Sequence, residues 1–470
     1  MIADELIVFA GTMPARKRTR QRAAIGVVRK ALDRVQAALD RYHWWEFQFL
    51  AIGFVSTIAI VVVLLLPLGN GPLEIRASDA VPPAGSPAFM SQLANTLSLP
   101  VEQAPPIDTF NNGDAFLKAL LADIDGARLS IDFMVYIWKD GTFSDQVLAH
   151  LEQKQRAGVQ VRIVLDAYGG LTAPSEKLSR LEALGGKVAV FHSLMPLPWT
   201  MARDHKRNHR RSIVIDGAIG YTGGIAVDDV WLGDARNPSQ WRDMMFRVRG
   251  SMASHLQGAF SELWVNTTGE LLVGPKFYPD TATPAETGMR YVPLASAPSP
   301  DRFEMENFLL LSLLGARQRI VMVTPYFLPD DTMEQALIGK AKAGVAVTIL
   351  VPNDLNDSHS VRAASQYLYD DLLKAGVKIY EFQPTFIHTK LLVVDGTWSV
   401  IGSANMDNRS RKLNDEVVFG ISGQAFAAGL ERTIATDLKR SKRIDKSEWE
   451  RRGWWQRAGE ILARLLVQQY

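Results

Sequence analysis

The sequence predicts an α/β fold: two homologous half-domains packed around one shared active site, preceded by one transmembrane helix. Three observations carry that prediction. A strand-and-turn pattern occurs twice, a histidine motif stands at the same place in each copy, and one charge-free apolar run lies near the N-terminus.

A chain of 470 residues is long enough for more than one domain-sized core. With 47% hydrophobic and 22% charged residues it is too apolar for a disordered chain. The formal net charge of +2 gives no general attraction to nucleic acid, and no nucleic-acid partner is expected. There is no cysteine, which removes disulfides, thiolate catalysis and zinc–thiolate sites together.

The first element is the run from Phe47 to Leu66, FQFLAIGFVSTIAIVVVLLL, twenty residues without a charge. At ~1.5 Å per residue it spans a hydrocarbon core of ~30 Å, whereas a buried core helix rarely stays uncharged for so long. Tyr42, Trp44 and Trp45 precede it, where amphipathic rings favour the membrane interface. Nine Lys and Arg residues lie between Arg16 and Arg41, and the nearest basic residue after the run is Arg76. The positive-inside rule therefore places residues 1–46 in the cytoplasm, with 47–67 as the span and the remainder outside. Residues 68–106, rich in Pro, Ala, Ser and Gly, read as a linker without a fold of its own.

The next two elements are the halves, residues 107–280 and 281–440. AGVQVRIVLD begins at Ala157 and AGVAVTILVP at Ala343. Each follows a helix-like stretch and an apolar strand, IDFMVYIW (131–138) or IVMVTPYF (320–327). Each precedes another short strand, KVAVFHS (187–193) or VKIYEF (377–382). Helical patterns alternating with β-branched runs predict buried strands in an α/β architecture. Two unrelated domains sharing AGV turns by chance would not repeat the same order of elements.

The chemistry lies at the matched point of each half. His388-Thr-Lys390 is followed by four residues, Asp395, six residues and Gly402-Ser403-Ala-Asn405. His209-Arg-Arg211 is followed by four residues, Asp216, six residues and Gly223-Gly224-Ile-Ala226. Residues two apart on a strand share a face, so His388 projects beside Lys390 and His209 beside Arg211. Paired cations suit phosphoryl oxygens while an imidazole reaches phosphorus or a leaving oxygen. Gly223, Gly224 and Ser403 allow close approach to a phosphate, with N–H and hydroxyl donors for its oxygens, and Asn405 offers an amide donor. A lone histidine is more often structural; two copies of one motif in matching halves argue for catalysis.

These motifs resemble those of the phospholipase D superfamily, whose signature is HxKxxxxD in two copies. NHRRSIVIDGAIGYTGG, WRD at 241–243 and IHTKLLVVDGTWSVIGSANMDNRS resemble the bacterial cardiolipin synthases more narrowly. The resemblance covers roughly residues 107–440 and implies no cofactor and no metal. It implies that one histidine attacks phosphorus to give a phosphohistidine, while the other protonates the departing alcohol and deprotonates the incoming one. Carried onto this chain, it makes His209 the nucleophile and His388 the general acid/base; the residues alone leave the reverse open. It makes Arg211 and Lys390 the phosphoryl clamp, Asp243 and Glu416 the acidic partners of the histidines, and Asp216 and Asp395 structural braces. Arg211, in place of the family's Lys, and Ala226, where Asn is common, are departures that put the first half in question.

Two further elements face lipid on this reading. The insertion LMPLPWTMARDHKRNHRR sets Trp199 and Met201 beside Arg203, Lys206, Arg207 and Arg210, either a lipid-dipping rim or a solvated basic loop. The tail, residues 441–470, carries Trp449, Trp454, Trp455 and Leu465 on a basic background, either an interfacial helix or a helix packed on the core. The function implied is transfer of a phosphatidyl group between two phosphatidylglycerols at the bacterial inner membrane, giving cardiolipin and glycerol. The alternatives are a phospholipase D hydrolase or another headgroup transferase, a membrane-tethered nuclease, and a non-enzymatic lipid-binding scaffold.

Overall fold

The computed structural model describes residues 77–192, 206–280, 287–299 and 303–454, together with 30, 33–34, 48–49, 52–57, 457, 459–460 and 463. The chain divides into two units, residues 1–75 and 76–470. In the first, residues 48–49 and 52–57 are helical, and Phe49, Ile52, Phe54 and Val55 are all more than 60% exposed. Most of the expected span at 47–66 lies outside the described residues. Among the described residues, no helix is long and apolar enough to cross a membrane.

The second unit holds two sheets of matching topology. In the first half the strands are β1 (Asp108–Asn111), β2 (Ser130–Val135), β3 (Gln160–Asp166), β4 (Lys187–Phe191), β5 (Ser212–Ile215), β6 (Ile219–Gly223) and β7 (Met244–Arg249). Their order is β1-β7-β6-β5-β2-β3-β4. The second half supplies β8 (Arg290–Ser296), β9 (Arg319–Val323), β10 (Ala346–Pro352), β11 (Lys378–Phe382), β12 (Leu391–Val394), β13 (Trp398–Gly402), β14 (Asn414–Ser422) and β15 (Ser441–Arg443). Their order is β8-β14-β13-β12-β9-β10-β11-β15, with Glu102–Gln103 pairing outside β8. In both halves the first three major strands run parallel, with helical crossovers, and the histidine-bearing strand returns antiparallel to the first of them.

The repeated AGV turn has a physical cause. The helices Thr142–Arg156 and Asp331–Lys342 both end at an alanine followed by a glycine of positive φ, Gly158 at +90° and Gly344 at +91°. Val159 N–H then bonds back to Lys154 C=O, and Val345 N–H to Lys340 C=O, the closure that only a left-handed residue permits at low strain. The chain emerges into β3 or β10 in the same direction each time.

The sheets meet face to face. Alternate residues of β5 point to opposite layers: Ile213 and Ile215 join the first half's own core, and Val214 joins a core shared with Leu391 and Val393 of β12, Met244, Phe246, Val417 and Phe419. Truncating a fully buried ring such as Phe419 in that shared core costs ~3–5 kcal/mol. One body is built from the two repeats, and both histidine motifs border its internal seam.

Two sequence expectations, the linker and the basic rim, need correction here, and the open reading of the tail is narrowed. The expected linker at 68–106 contains the helix Pro87–Leu97, started by the Ser86 N-cap and by Pro87 in its first turn. Phe89, Met90, Leu93 and Leu97 are buried, and Phe89 meets Trp398 edge-on at 5.1 Å. Composition concealed this apolar stripe, because the Pro, Ala and Ser content of the neighbouring residues outweighs it. In the tail, Trp449 is buried against Tyr369, at 5.2 Å between rings. Arg452 pairs with Asp370 and Glu460, so the described part of the tail is packed on the second half. Arg210, expected on the basic rim, is fully buried and donates to Ala259 C=O and Ser296 C=O, so it serves the fold; residues 193–205 of the insertion, and the tail at Trp455 and Leu465, lie outside the described residues.

Candidate active site

Each histidine is held by the other half. The His209 N–H donates to Asp415 C=O at 2.9 Å, and the His388 N–H donates to Arg242 C=O at 2.7 Å. Those two carbonyls belong to the residues immediately before Glu416 and Asp243. Once the backbones are so docked, the carboxylates fall beside the opposite imidazoles. Glu416 Oε1 lies 2.7 Å from His209 Nδ1, and Asp243 Oδ2 lies 2.7 Å from His388 Nδ1. Sequence reasoning named both acids but not the crossing. A carboxylate on Nδ1 fixes the proton there and leaves Nε2 as the reactive nitrogen.

The cations are matched as well. Arg211 Nη1 donates to His209 C=O at 2.7 Å, and Lys390 Nζ donates to His388 C=O at 2.7 Å. Lys390 Nζ also stands 3.1 Å from both ring nitrogens of His388. Arg211 is fully buried, and its Nε and Nη2 have no hydrogen-bond partner. Unpartnered buried guanidinium donors are costly in an empty site and suit an oxyanion ligand.

The carboxylates are braced differently. Trp231 Nε1 donates to Asp243 Oδ2 at 2.9 Å, and the Met244 N–H donates to Oδ1 at 2.8 Å. On the other side, the Ser403 hydroxyl donates to Glu416 Oε2 at 2.5 Å and the Ser410 hydroxyl to Oε1 at 2.7 Å. Trp231 lies seven residues after Gly224, and Ser410 lies seven after Ser403. The same spacing in each half is the signal that would have found both braces.

The small residues expected to cradle phosphate have other partners. The N–H groups of Gly224 and Ser403 donate to Met244 C=O at 3.1 Å and Val417 C=O at 2.9 Å, and the Ser403 hydroxyl is engaged by Glu416. A Cβ on Gly224 would stand 2.2 Å from Asp243 Oδ1, so this glycine makes room for the carboxylate. Gly223 and Gly402, at φ +147° and +144°, would bring a Cβ to 2.4 Å from Met244 C=O and 2.2 Å from Val417 C=O. They let the strand pass close to the acid-bearing strand. Asn405 is buried with no partner for Oδ1, whereas its counterpart Ala226 sits in the first half's apolar core. Asp216 and Asp395 each accept three N–H bonds, from Arg128, Leu129 and Ser130 and from Arg317, Gln318 and Arg319. They tie each histidine strand's turn to the start of the neighbouring strand.

Burial and the two cations decide the charges. Desolvation, reinforced by Arg211 and Lys390, holds His209 well below the usual histidine range. His388 is lowered to about 3 by desolvation and Lys390, against the opposing pull of Asp243. Burial lowers Lys390 to about 7 and raises Glu416 to about 7. For Asp243, burial pushes upward, but His388, Lys390 and the Met244 N–H outweigh it, and the group stays below the usual carboxylate range. Both histidines are neutral at rest, beside one ionised acid and one acid poised near neutrality.

Comparison with known proteins agrees with this geometry. The family described as "Cardiolipin synthase, PLD-like domain" matches residues 120–264 and 309–438. Cardiolipin synthase A of Serratia proteamaculans (strain 568) is 35% identical over 362 residues, covering 74% of this chain and 72% of that protein. Cardiolipin synthase A of Yersinia pestis matches with the same identity and coverage. The crystal structure of phosphatidylserine synthase from Haemophilus influenzae Rd KW20 superposes with a TM-score of 0.62 over 80% of this chain and 96% of that one, at 13% identity, a likeness of fold. With both blocks of the family matched over more than half its length, the chain belongs to the phospholipase D-like family of cardiolipin synthases.

Proposed function

We propose that this protein is a phospholipase D-type phosphatidyltransferase that converts two phosphatidylglycerols into cardiolipin and glycerol. The observation that carries the reading is the crossed pair of imidazole–carboxylate dyads flanking Arg211 and Lys390. Relatives named cardiolipin synthase A supply the choice of substrate.

His209 Nε2 attacks phosphorus and the P–O bond to glycerol breaks, leaving a phosphatidyl–His209 intermediate. His388, which takes up a proton on Nε2 from solvent as the anionic phosphodiester binds, donates it to the leaving oxygen. The hydroxyl of a second phosphatidylglycerol then returns that proton to His388 and attacks phosphorus, which releases His209. A neutral His209 whose Nδ1–H is held by Glu416 leaves Nε2 unprotonated, which suits a nucleophile. An ionised Asp243 beside His388 suits the residue that must become imidazolium. Arg211 and Lys390 oppose the charge on the phosphoryl oxygens, with Arg211 Nε and Nη2 as unengaged donors. On this reading Asp216 and Asp395 stay structural.

The bilayer partner enters through the apolar run at 47–66. We read it as a single-pass anchor with a cytoplasmic N-terminus, which holds the catalytic unit at the outer face of the bacterial inner membrane. The test is to incubate the purified full chain in detergent with phosphatidylglycerol and excess chelator, with product identification by mass spectrometry. Cardiolipin plus glycerol, lost in His209→Ala and in His388→Ala, is the expected result. Phosphatidic acid as the sole product would make the enzyme a hydrolase.

A further inference from the structure

The internal repeat allows one wall of the site to be compared with the other. Strand pairing aligns Ser130 and Gln160 of the first half with Arg319 and Ala346 of the second. Counted forward from these strands, Ile137 falls at the position of Tyr326, and the ring that meets the first half's histidine is Tyr136, edge-on to His209 at 5.2 Å. In the half that bears His388 the tyrosine stands one position further along and is joined by a carboxylate, Asp357.

The polar pair leads from the surface to the histidine. The Tyr326 hydroxyl donates to Asp357 Oδ2 at 2.6 Å, and its ring lies edge-on to His388 at 6.3 Å between centroids. Phe386, packed against both rings, fixes that approach. Lys390, and Lys139 of the first half, oppose the charge of Asp357.

We propose that Tyr326 and Asp357 form the subsite that recognises the free hydroxyls of the glycerol headgroup, on the departing and the incoming alcohol alike. The inference rests on His388 as the acid/base, because the alcohol oxygen must then lie on its side of phosphorus. A carboxylate and a phenol can together bind adjacent hydroxyls of a polyol. A monohydric alcohol leaves them with nothing to hold, and sites built for a hydroxyl discriminate strongly against analogues without one.

The test is a partition experiment on the full chain in detergent. Phosphatidylglycerol is the donor, and deuterated glycerol competes with 1-propanol at equal concentration. Both alcohols draw on the same phosphatidyl-enzyme, so the ratio of labelled phosphatidylglycerol to phosphatidylpropanol reads the acceptor step alone. The wild type is expected to favour glycerol. That preference should fall at least ~10-fold in Asp357→Leu, less in Asp357→Asn, and ~3-fold in Tyr326→Phe. A ratio within twofold of wild type in the Asp357 variants, or both products falling together at constant ratio, overturns the proposal while leaving the transferase reading intact. A wild type that makes neither product overturns the transferase reading itself.

Discussion

The two halves solve one local problem in different ways. Each must hold a carboxylate against the other's imidazole from a strand at the same place in the sheet. The first half uses a short acid, Asp243, with Gly224 clearing space and the large ring of Trp231 bringing an N–H to it. The second uses a long acid, Glu416, with two small hydroxyls, Ser403 and Ser410. Acid length and brace size vary in opposite senses, so the Nδ1-to-oxygen distance is 2.7 Å in both. What differs is charge: Asp243 is held ionised and Glu416 is pushed toward neutrality. Duplication supplied a symmetric frame, and the braces made its two histidines unequal.

The largest effects should come from breaking that inequality at the imidazoles. His209→Ala and His388→Ala should each lower cardiolipin formation by more than ~10⁴-fold. A donor with a p-nitrophenolate leaving group needs no general acid. His388→Ala should then still give a stoichiometric burst of p-nitrophenolate, and His209→Ala none. A burst in His209→Ala alone would reverse the two roles.

Next come the acids. Asp243→Asn should cost ~10²–10⁴-fold in kcat, because an ionised partner is lost exactly where an imidazolium must form. Glu416→Gln should cost ~10-fold, since the amide keeps an acceptor for Nδ1 and little charge is removed. Steady-state kinetics on phosphatidylglycerol separate the two, and equal losses would show that the halves act alike.

Much of this was legible in the chain. The duplicated AGV turns, the two histidines, their cations and the two acids could all be named, because each rests on local spacing or on a family pattern. The crossing of the acids could not. It depends on the docking of His209 to Asp415 and of His388 to Arg242, contacts more than 140 residues apart. Gly224 and Ser403 were misjudged as phosphate donors because sequence shows that a residue is small without showing what already occupies its N–H. The helix at Pro87–Leu97 was missed because its stripe of four apolar residues is short and sits in Pro-rich surroundings.

The braces give smaller effects. Trp231→Phe keeps the ring against His388 but removes, among the described residues, the only side-chain donor to Asp243 other than His388. It should lower kcat ~10-fold, with KM little changed. Ser410→Ala leaves the Ser403 hydroxyl on Glu416, and a loss of ~2–3-fold is expected. If Ser410→Ala proved the more harmful, Glu416 would have to be the more demanding acid, and the inequality argued here would point the other way.

The smallest effect, and the most direct reading of charge, is on stability. Glu416 has a folded-state pKa raised to about 7 from an ordinary 4.5, so the folded protein binds the extra proton between those values. Its contribution to stability is full below pH ~4.5 and is lost as pH rises through 7. Asp243 has the opposite sign: its folded pKa is lowered, so its contribution is present above the ordinary aspartate value of 3.8 and is lost only in stronger acid. Calorimetry from pH 5 to 8 should therefore show the Tm of wild type falling by a few degrees relative to Glu416→Gln. Over the same range the difference between wild type and Asp243→Asn should stay flat. Parallel pH slopes in the two variants would mean that the two acids carry the same charge at rest, and the chemical division between the histidines would then have to come from the substrate.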